Sequence, residues 1–157
     1  MEEIFEDLIK KIITKEELIL FLEEINRTKQ YVFKNVDTPL SERVKGKTRE
    51  GFRNYLKKLE KSGSISGPPN QQFSFFEEIE KCLREVPQIK LEIAFAPSED
   101  FLLKIKKWFR EENRQEVILD LTVNHRITGG AIIEYQGQYR NFSLAKRIDE
   151  LVSQNHG

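Results

Sequence analysis

Few side chains in this 157-residue sequence combine the types and spacing that chemistry needs. Gly46-Lys47-Thr48 carries the closing residues of a phosphate-binding loop, in which backbone N–H groups cradle phosphates and the lysine reaches the outermost ones. That loop also needs a glycine five residues before Gly46 and a strand leading into it. Position 41 is Ser41, and the residues before it read as helix. His125 has Asp120 nearby in sequence as a partner for general-base work, but no serine or cysteine nucleophile stands at a matching spacing. A histidine in a turn between strands then reads as structural. Cys82, the single cysteine, lies beside Leu83 in a helical stretch with no cationic cluster to favour its thiolate. With His125 and His156 the only histidines, no Cys/His set has zinc-site spacing. The sequence therefore predicts no catalytic residue, no cofactor and no metal.

The other candidate for chemistry is charge. Lysine plus arginine and aspartate plus glutamate balance at 26 each, yet the balance is not local. Residues 1–25 hold eight acidic residues and three lysines, a net of −5, whereas residues 38–62 hold eight basic residues and three glutamates, a net of +5. The basic run from Arg43 to Lys61, with Phe52 and Tyr55 between its cations, could neutralise phosphates and stack bases, which makes a small nucleic-acid-binding protein using 43–61 the alternative function. Against it, Phe52 and Tyr55 sit at core-like spacing with Leu56 and Leu59, and the −5 segment offers a complement within the same small bundle. A protein partner or an intradomain surface is the stronger reading.

These residues must be positioned by elements that the apolar spacing reveals. Ile4, Phe5, Leu8, Ile9, Ile12 and Ile13 repeat at helical period, Thr14 and Glu17 form a capping box, and Leu18, Phe21, Leu22, Ile25 and Val32 stripe a second helix. Thr38-Pro39 opens a third through Leu40, Val44, Phe52, Tyr55, Leu56 and Leu59, with a break expected where Gly46 and Gly51 weaken it. Glycine, serine and a proline pair mark residues 63–72 as a linker, and a connecting helix is expected over 73–87. From Ile89 the period becomes two. Strands are predicted at Ile89–Phe95, Val117–Val123, Ala131–Tyr135 and Gln138–Phe142, with a helix capped by Ser98 after the first and a last helix capped by Ser143. The fold class is α+β: an N-terminal helical bundle over 1–62, then a C-terminal sheet packed with two helices over 88–157. The acidic start is unlike a secretory signal and no apolar run approaches membrane-spanning length, so an intracellular protein that meets a membrane through a partner is expected.

The stretch from Val123 to Ser143 resembles the C-terminal signature of the δ subunit of F-type ATP synthases, the family that includes the mitochondrial oligomycin-sensitivity-conferring protein. Ile127, Gly129, Gly130, Gly137 and Ser143 match its Ile-x-Gly-Gly strand, glycine turn and serine, and Leu144, Ile148 and Leu151 fit its leucine-rich final helix. Leu91–Ser98 is similar to the family's strand running into a proline, so the resemblance covers roughly 88–152. Asn124-His125 and Asn141 stand where the family usually has Asp-Pro and aspartate, and three or four helices are read where the family has a six-helix bundle. The resemblance implies a non-catalytic stator subunit of the peripheral stalk, used in ATP synthesis driven by hydrogen ion transport. It implies α and b subunits as partners and a cytoplasmic location on the inner face of the cell membrane. Candidate partner-binding residues are Leu18, Leu22 and Ile25 in the helical half, and Phe101, Trp108, Phe109, Leu144 and Ile148 in the C-terminal half.

Overall fold

The apolar residues spaced three and four apart in the first half of the chain do form helices, and the alternating ones after Pro87 do form a sheet. A computed structural model describes residues 2–127, 129–135 and 137–141. The chain divides into two units, one of residues 1–8 and 17–85 and the other of residues 9–16 and 86–157. Among the described residues the class is α+β, with six helices and four strands.

Helix α1 (Glu2–Lys11) is followed by α2 (Lys15–Lys29), α3 (Leu40–Arg43), α4 (Glu50–Lys61) and α5 (Pro69–Arg84). Leu18, Leu22, Ile25, Leu40, Phe52, Leu56, Phe76 and Leu83 are buried in the first unit. The break expected in the third helix falls between α3 and α4, where Gly46 takes a φ of 71°, a left-handed conformation that glycine adopts without the Cβ clash other residues meet. Gly51 instead stays helical in the first turn of α4. The division of the chain lies between Glu85 and Val86, beyond the expected linker. Ile65 within 63–72 is buried, and Pro69 is the first residue of α5, where a missing N–H costs nothing because that donor has no intrahelical partner anyway. The proline pair therefore opens the helix, four residues before the expected start.

In the second unit, β1 (Gln88–Ile93), α6 (Glu99–Asn113), β2 (Ile118–Val123), β3 (Ala131–Tyr135) and β4 (Gln138–Asn141) build a sheet of order β2-β1-β3-β4. The β1–α6–β2 crossover makes the first pair parallel, and β3 and β4 continue antiparallel. Ser98 Oγ accepts the Phe101 N–H at 3.3 Å, the expected cap of α6. Ile89, Leu91, Ile93, Leu119 and Ile133 form one buried cluster with Leu102 and Phe109 of α6. Phe95 lies outside β1 and is exposed, its ring 5.7 Å from Phe101, so the strand starts one residue before and ends two residues before the expected bounds.

Ile12 and Ile13 do not continue α1. Thr14 forms a parallel bridge with Leu119, and the Leu119 N–H donates to the Ile13 carbonyl at 2.9 Å, so this short segment lines the outer edge of β2. Lys106, buried on α6, donates to the carbonyls of Ile9 and Ile12, the latter at 2.6 Å, and Lys15 pairs with Asp120 at 2.7 Å. These bonds assign residues 9–16 to the sheet unit.

Candidate interaction surfaces

The residues singled out for chemistry are engaged otherwise. Asp120 is held by Lys15, and His125 Nδ1 lies 3.2 Å from the Ala94 carbonyl, so the two do not form a catalytic pair. Gly46-Lys47-Thr48 is the turn between α3 and α4, with Thr48 Oγ1 directed at the Val44 carbonyl at 3.4 Å and no strand before it. Among the described residues no group of three His, Cys, Asp or Glu could hold a metal ion.

Much of the basic run is turned into its own unit. Arg43 donates to the carbonyls of Val32 and Thr38 at 2.6 and 2.7 Å, and burial lowers its pKa while Glu60 opposes the shift. Arg49 grips Glu24, a bond that raises the guanidinium pKa. Arg53 pairs with Glu50, and Lys57 with Glu42. The opposed −5 and +5 segments thus meet through Glu24 and Arg49, and these four cations are committed to internal partners.

The helical unit does not present the side chains that the sequence proposed. Leu18, Leu22 and Ile25 are buried, as helix geometry explains: the apolar stripe of α2 is the one the unit uses for its own core. The apolar side chains left outside are Ile19 and Leu20 on α2 and Phe33 and Val36 after it, with Phe33 55% exposed. The Phe33 ring lies 5.7 Å from that of Phe73 on α5, where Lys29 Nζ also stands 5.7 Å from the Phe73 centroid and bonds Glu80 at 2.6 Å. Lys29, then Arg84, holds the Glu80 carboxyl below its usual pKa.

Tyr55, on α4, has a buried hydroxyl with no hydrogen-bond partner, beside the ring of Phe21 at 5.8 Å. Burial, with a smaller effect of Asp7, pushes its pKa up to about 12. The unfolded chain ionises near 10, so the neutral phenol is favoured by the fold: the contribution is complete below pH 10 and is lost as pH rises from 10 towards 12. Tyr55→Phe removes an orphan hydroxyl without stranding a partner. It is expected to leave stability unchanged or raise it by up to about 1 kcal/mol at pH 8, and to reduce the alkaline loss. Urea unfolding at pH 8 and 11 checks both, and a clear loss of stability at pH 8 would contradict the orphan assignment.

In the sheet unit Phe109 is buried, and Phe101 and Trp108 are half-buried against the same core, so Phe109 cannot serve as a contact residue without opening the fold. Leu144 and Ile148, like Ser143 and Leu151, lie outside the described residues. Of the motif residues, Ile127 is half-buried, and Gly129, Gly130 and Gly137 have φ of 69°, 83° and 75°. The Gly130 carbonyl accepts the Ala94 N–H at 3.3 Å, so the double glycine lets the chain turn into β3 while bonding the end of β1. Asn124 has a local reason to be an amide. Its Oδ1 accepts the Arg126 N–H at 2.9 Å, as an aspartate could, while its Nδ2 donates to Glu92, which an aspartate would repel.

What these units offer is helix faces and a sheet held in register, the equipment of an interaction protein. The sequence model of the ATP synthase delta (OSCP) subunit family matches residues 2–154, and the chain belongs to that family. No curated protein matches it. Members of the family are peripheral-stalk subunits of the ATP synthase complex, generally non-catalytic. The match takes in the helical half as well as the region that carries the sequence resemblance. No helix among the described residues is long and apolar enough to cross a membrane.

Proposed function

We propose that the chain ties the catalytic head of an F-type ATP synthase to its membrane-anchored b subunits during proton-driven ATP synthesis. The helical unit receives N-terminal segments of the α subunits, and the sheet unit grips the end of b. The observation that carries the reading is the family match over nearly the whole chain. Exposed Ile19, Leu20, Phe33 and Val36 on the helical unit supply apolar surface for a helical segment. As a stator the chain needs stable surfaces rather than reactive groups, and its attachment to the inner face of the membrane runs through the complex. The nucleic-acid reading is weakened because Arg43, Arg49, Arg53 and Lys57 are engaged internally. Purification through a tag on this chain from detergent-solubilised membranes is expected to recover head and b subunits together. An intact ATP synthase purified without it, with the chain alone in the soluble fraction, would refute the proposal.

A further inference from the structure

An open cavity of about 450 Å³ in the helical unit lies among α3 and the residues before it, the last turn of α4 and the first turn of α5. Its size falls within the range of small-molecule sites, about 300–1,000 Å³. Two cations line it, Arg43 and Lys61, and neither has a carboxylate partner among the described residues. Arg43 is held by backbone instead: Nε donates to the Thr38 carbonyl at 2.7 Å, and Nη1 to those of Val32 and Tyr31 at 2.6 and 3.4 Å. Carbonyl dipoles orient a guanidinium without neutralising it, so the charge is fixed in place while the two donors of Nη2 stay open. Lys61 is exposed.

The opposite charge is also present. Ser41 positions Glu60, its N–H and hydroxyl donating to the two carboxylate oxygens at 2.9 and 2.6 Å, and Asp37 is exposed with no ion-pair partner among the described residues. Gln72 adds an acceptor. Its Nε2 donates to the Gly67 carbonyl at 3.0 Å, which leaves Oε1 buried without a partner. An orphaned acceptor of this kind is costly, and a donor brought by a ligand relieves the cost. Pro39, Leu40 and Ile65 supply apolar lining.

We infer that this cavity binds a small zwitterion with an apolar body, of the size and chemistry of a free aliphatic amino acid. Its carboxylate meets Arg43 Nη2 and Lys61, its ammonium meets Glu60, Asp37 and Gln72 Oε1, and its side chain lies against Pro39 and Ile65. A simple anion would meet the carboxylates of Asp37 and Glu60, and a simple cation, a metal ion included, would meet the fixed guanidinium. Both charges on one molecule answer both sets. The inference does not depend on the stator reading, since a bound ligand stabilises the helical unit whatever that unit assembles with.

The test titrates the isotope-labelled full-length chain with leucine, with isocaproate, which lacks the ammonium, and with isoamylamine, which lacks the carboxylate. Leucine is expected to shift the amide resonances of Ser41, Arg43 and Lys61 saturably, with both single-charge probes roughly tenfold weaker or more. Lys61→Gln and Asp37→Asn, at exposed positions, should melt as wild type does and each bind leucine roughly threefold more weakly. Equal binding of leucine and isocaproate, both weakened by Lys61→Gln, would make the cavity an anion site and overturn the zwitterion. Leucine shifts that do not saturate, or wild-type leucine affinity in both variants, overturn the site itself. Each of these failures leaves assembly with the ATP synthase untouched, so it is distinguishable from a failure of the stator reading.

Discussion

Lys106→Met is expected to lower the stability of the sheet unit by about 2 kcal/mol and to loosen residues 9–16 from it. The ammonium donates to two carbonyls, Ile9 and Ile12, in a buried setting. Hydrogen bonds from a charged donor contribute about 1.5–3 kcal/mol each, so removing both is the larger effect. Opposing it, an ammonium held away from water carries a desolvation cost of several kcal/mol that methionine, of similar length, does not. Replacement of a buried ion pair can come out neutral for that reason, because both partners leave together. Here they do not: the carbonyls remain, the first belonging to the last turn of α1, where helix geometry supplies no donor. Chemical denaturation gives the size of the loss, and amide exchange gives its place. The Leu119 N–H, bonded to the Ile13 carbonyl, should exchange faster in the variant, whereas an unchanged midpoint and unchanged Leu119 protection would show that Lys106 is incidental.

The same residue shows where the sequence stops being legible. Lysine at 106 lies within a helix whose other lysines are exposed, and the pattern of residue types cannot tell that its ammonium turns inward to carbonyls of a segment more than ninety residues away in sequence. Ile12 and Ile13 keep the helical period of α1, yet they leave it, because β2 offers them an edge that local spacing does not encode. At three places a local signal was enough, whereas the cap expected from Thr38 with Pro39 as first helical residue was not formed: Pro39 itself precedes α3 and no side chain caps it. Gly46 broke the third helix, Ser98 capped α6, and the alternation at Ile89, Leu91 and Ile93 gave the buried face of β1. Pro68-Pro69 was ambiguous in kind, since proline ends one helix and begins the next with equal propriety. The surfaces were the least legible part. An amphipathic stripe looks the same whether its own unit or a partner covers it, so the spacing of Leu18, Leu22 and Ile25 could not tell that they are buried in the unit while Ile19 and Leu20 are exposed.

Arg49→Ala is expected to cost more than Glu24→Ala, although Arg49 is the exposed partner. Glu24 is 4% exposed, and its carboxylate accepts the Arg49 backbone N–H at 2.8 Å, Nε at 3.0 Å and Nη2 at 2.9 Å. Arg49 is the residue that precedes α4, and its own side chain gives the helix no cap. The carboxylate therefore stands at the positive end of α4, binding the chain there as a capping glutamate would, but from α2. Removing Glu24 loses these bonds and leaves a guanidinium that can turn into water, a loss of about 2–3 kcal/mol. Removing the arginine side chain leaves the carboxylate buried with a single backbone donor, and stranding a buried charge costs roughly 3–5 kcal/mol. The decisive comparison is the double variant. If the stranded charge is the cause, Glu24→Ala with Arg49→Ala should be more stable than Arg49→Ala alone, since the second substitution removes the group that the first one stranded. Urea midpoints of the three proteins at neutral pH decide it: additive losses, or a smaller loss in Arg49→Ala than in Glu24→Ala, would mean that the pair behaves as an ordinary surface bridge and that α4 draws its orientation from Phe52, Leu56 and Leu59 instead.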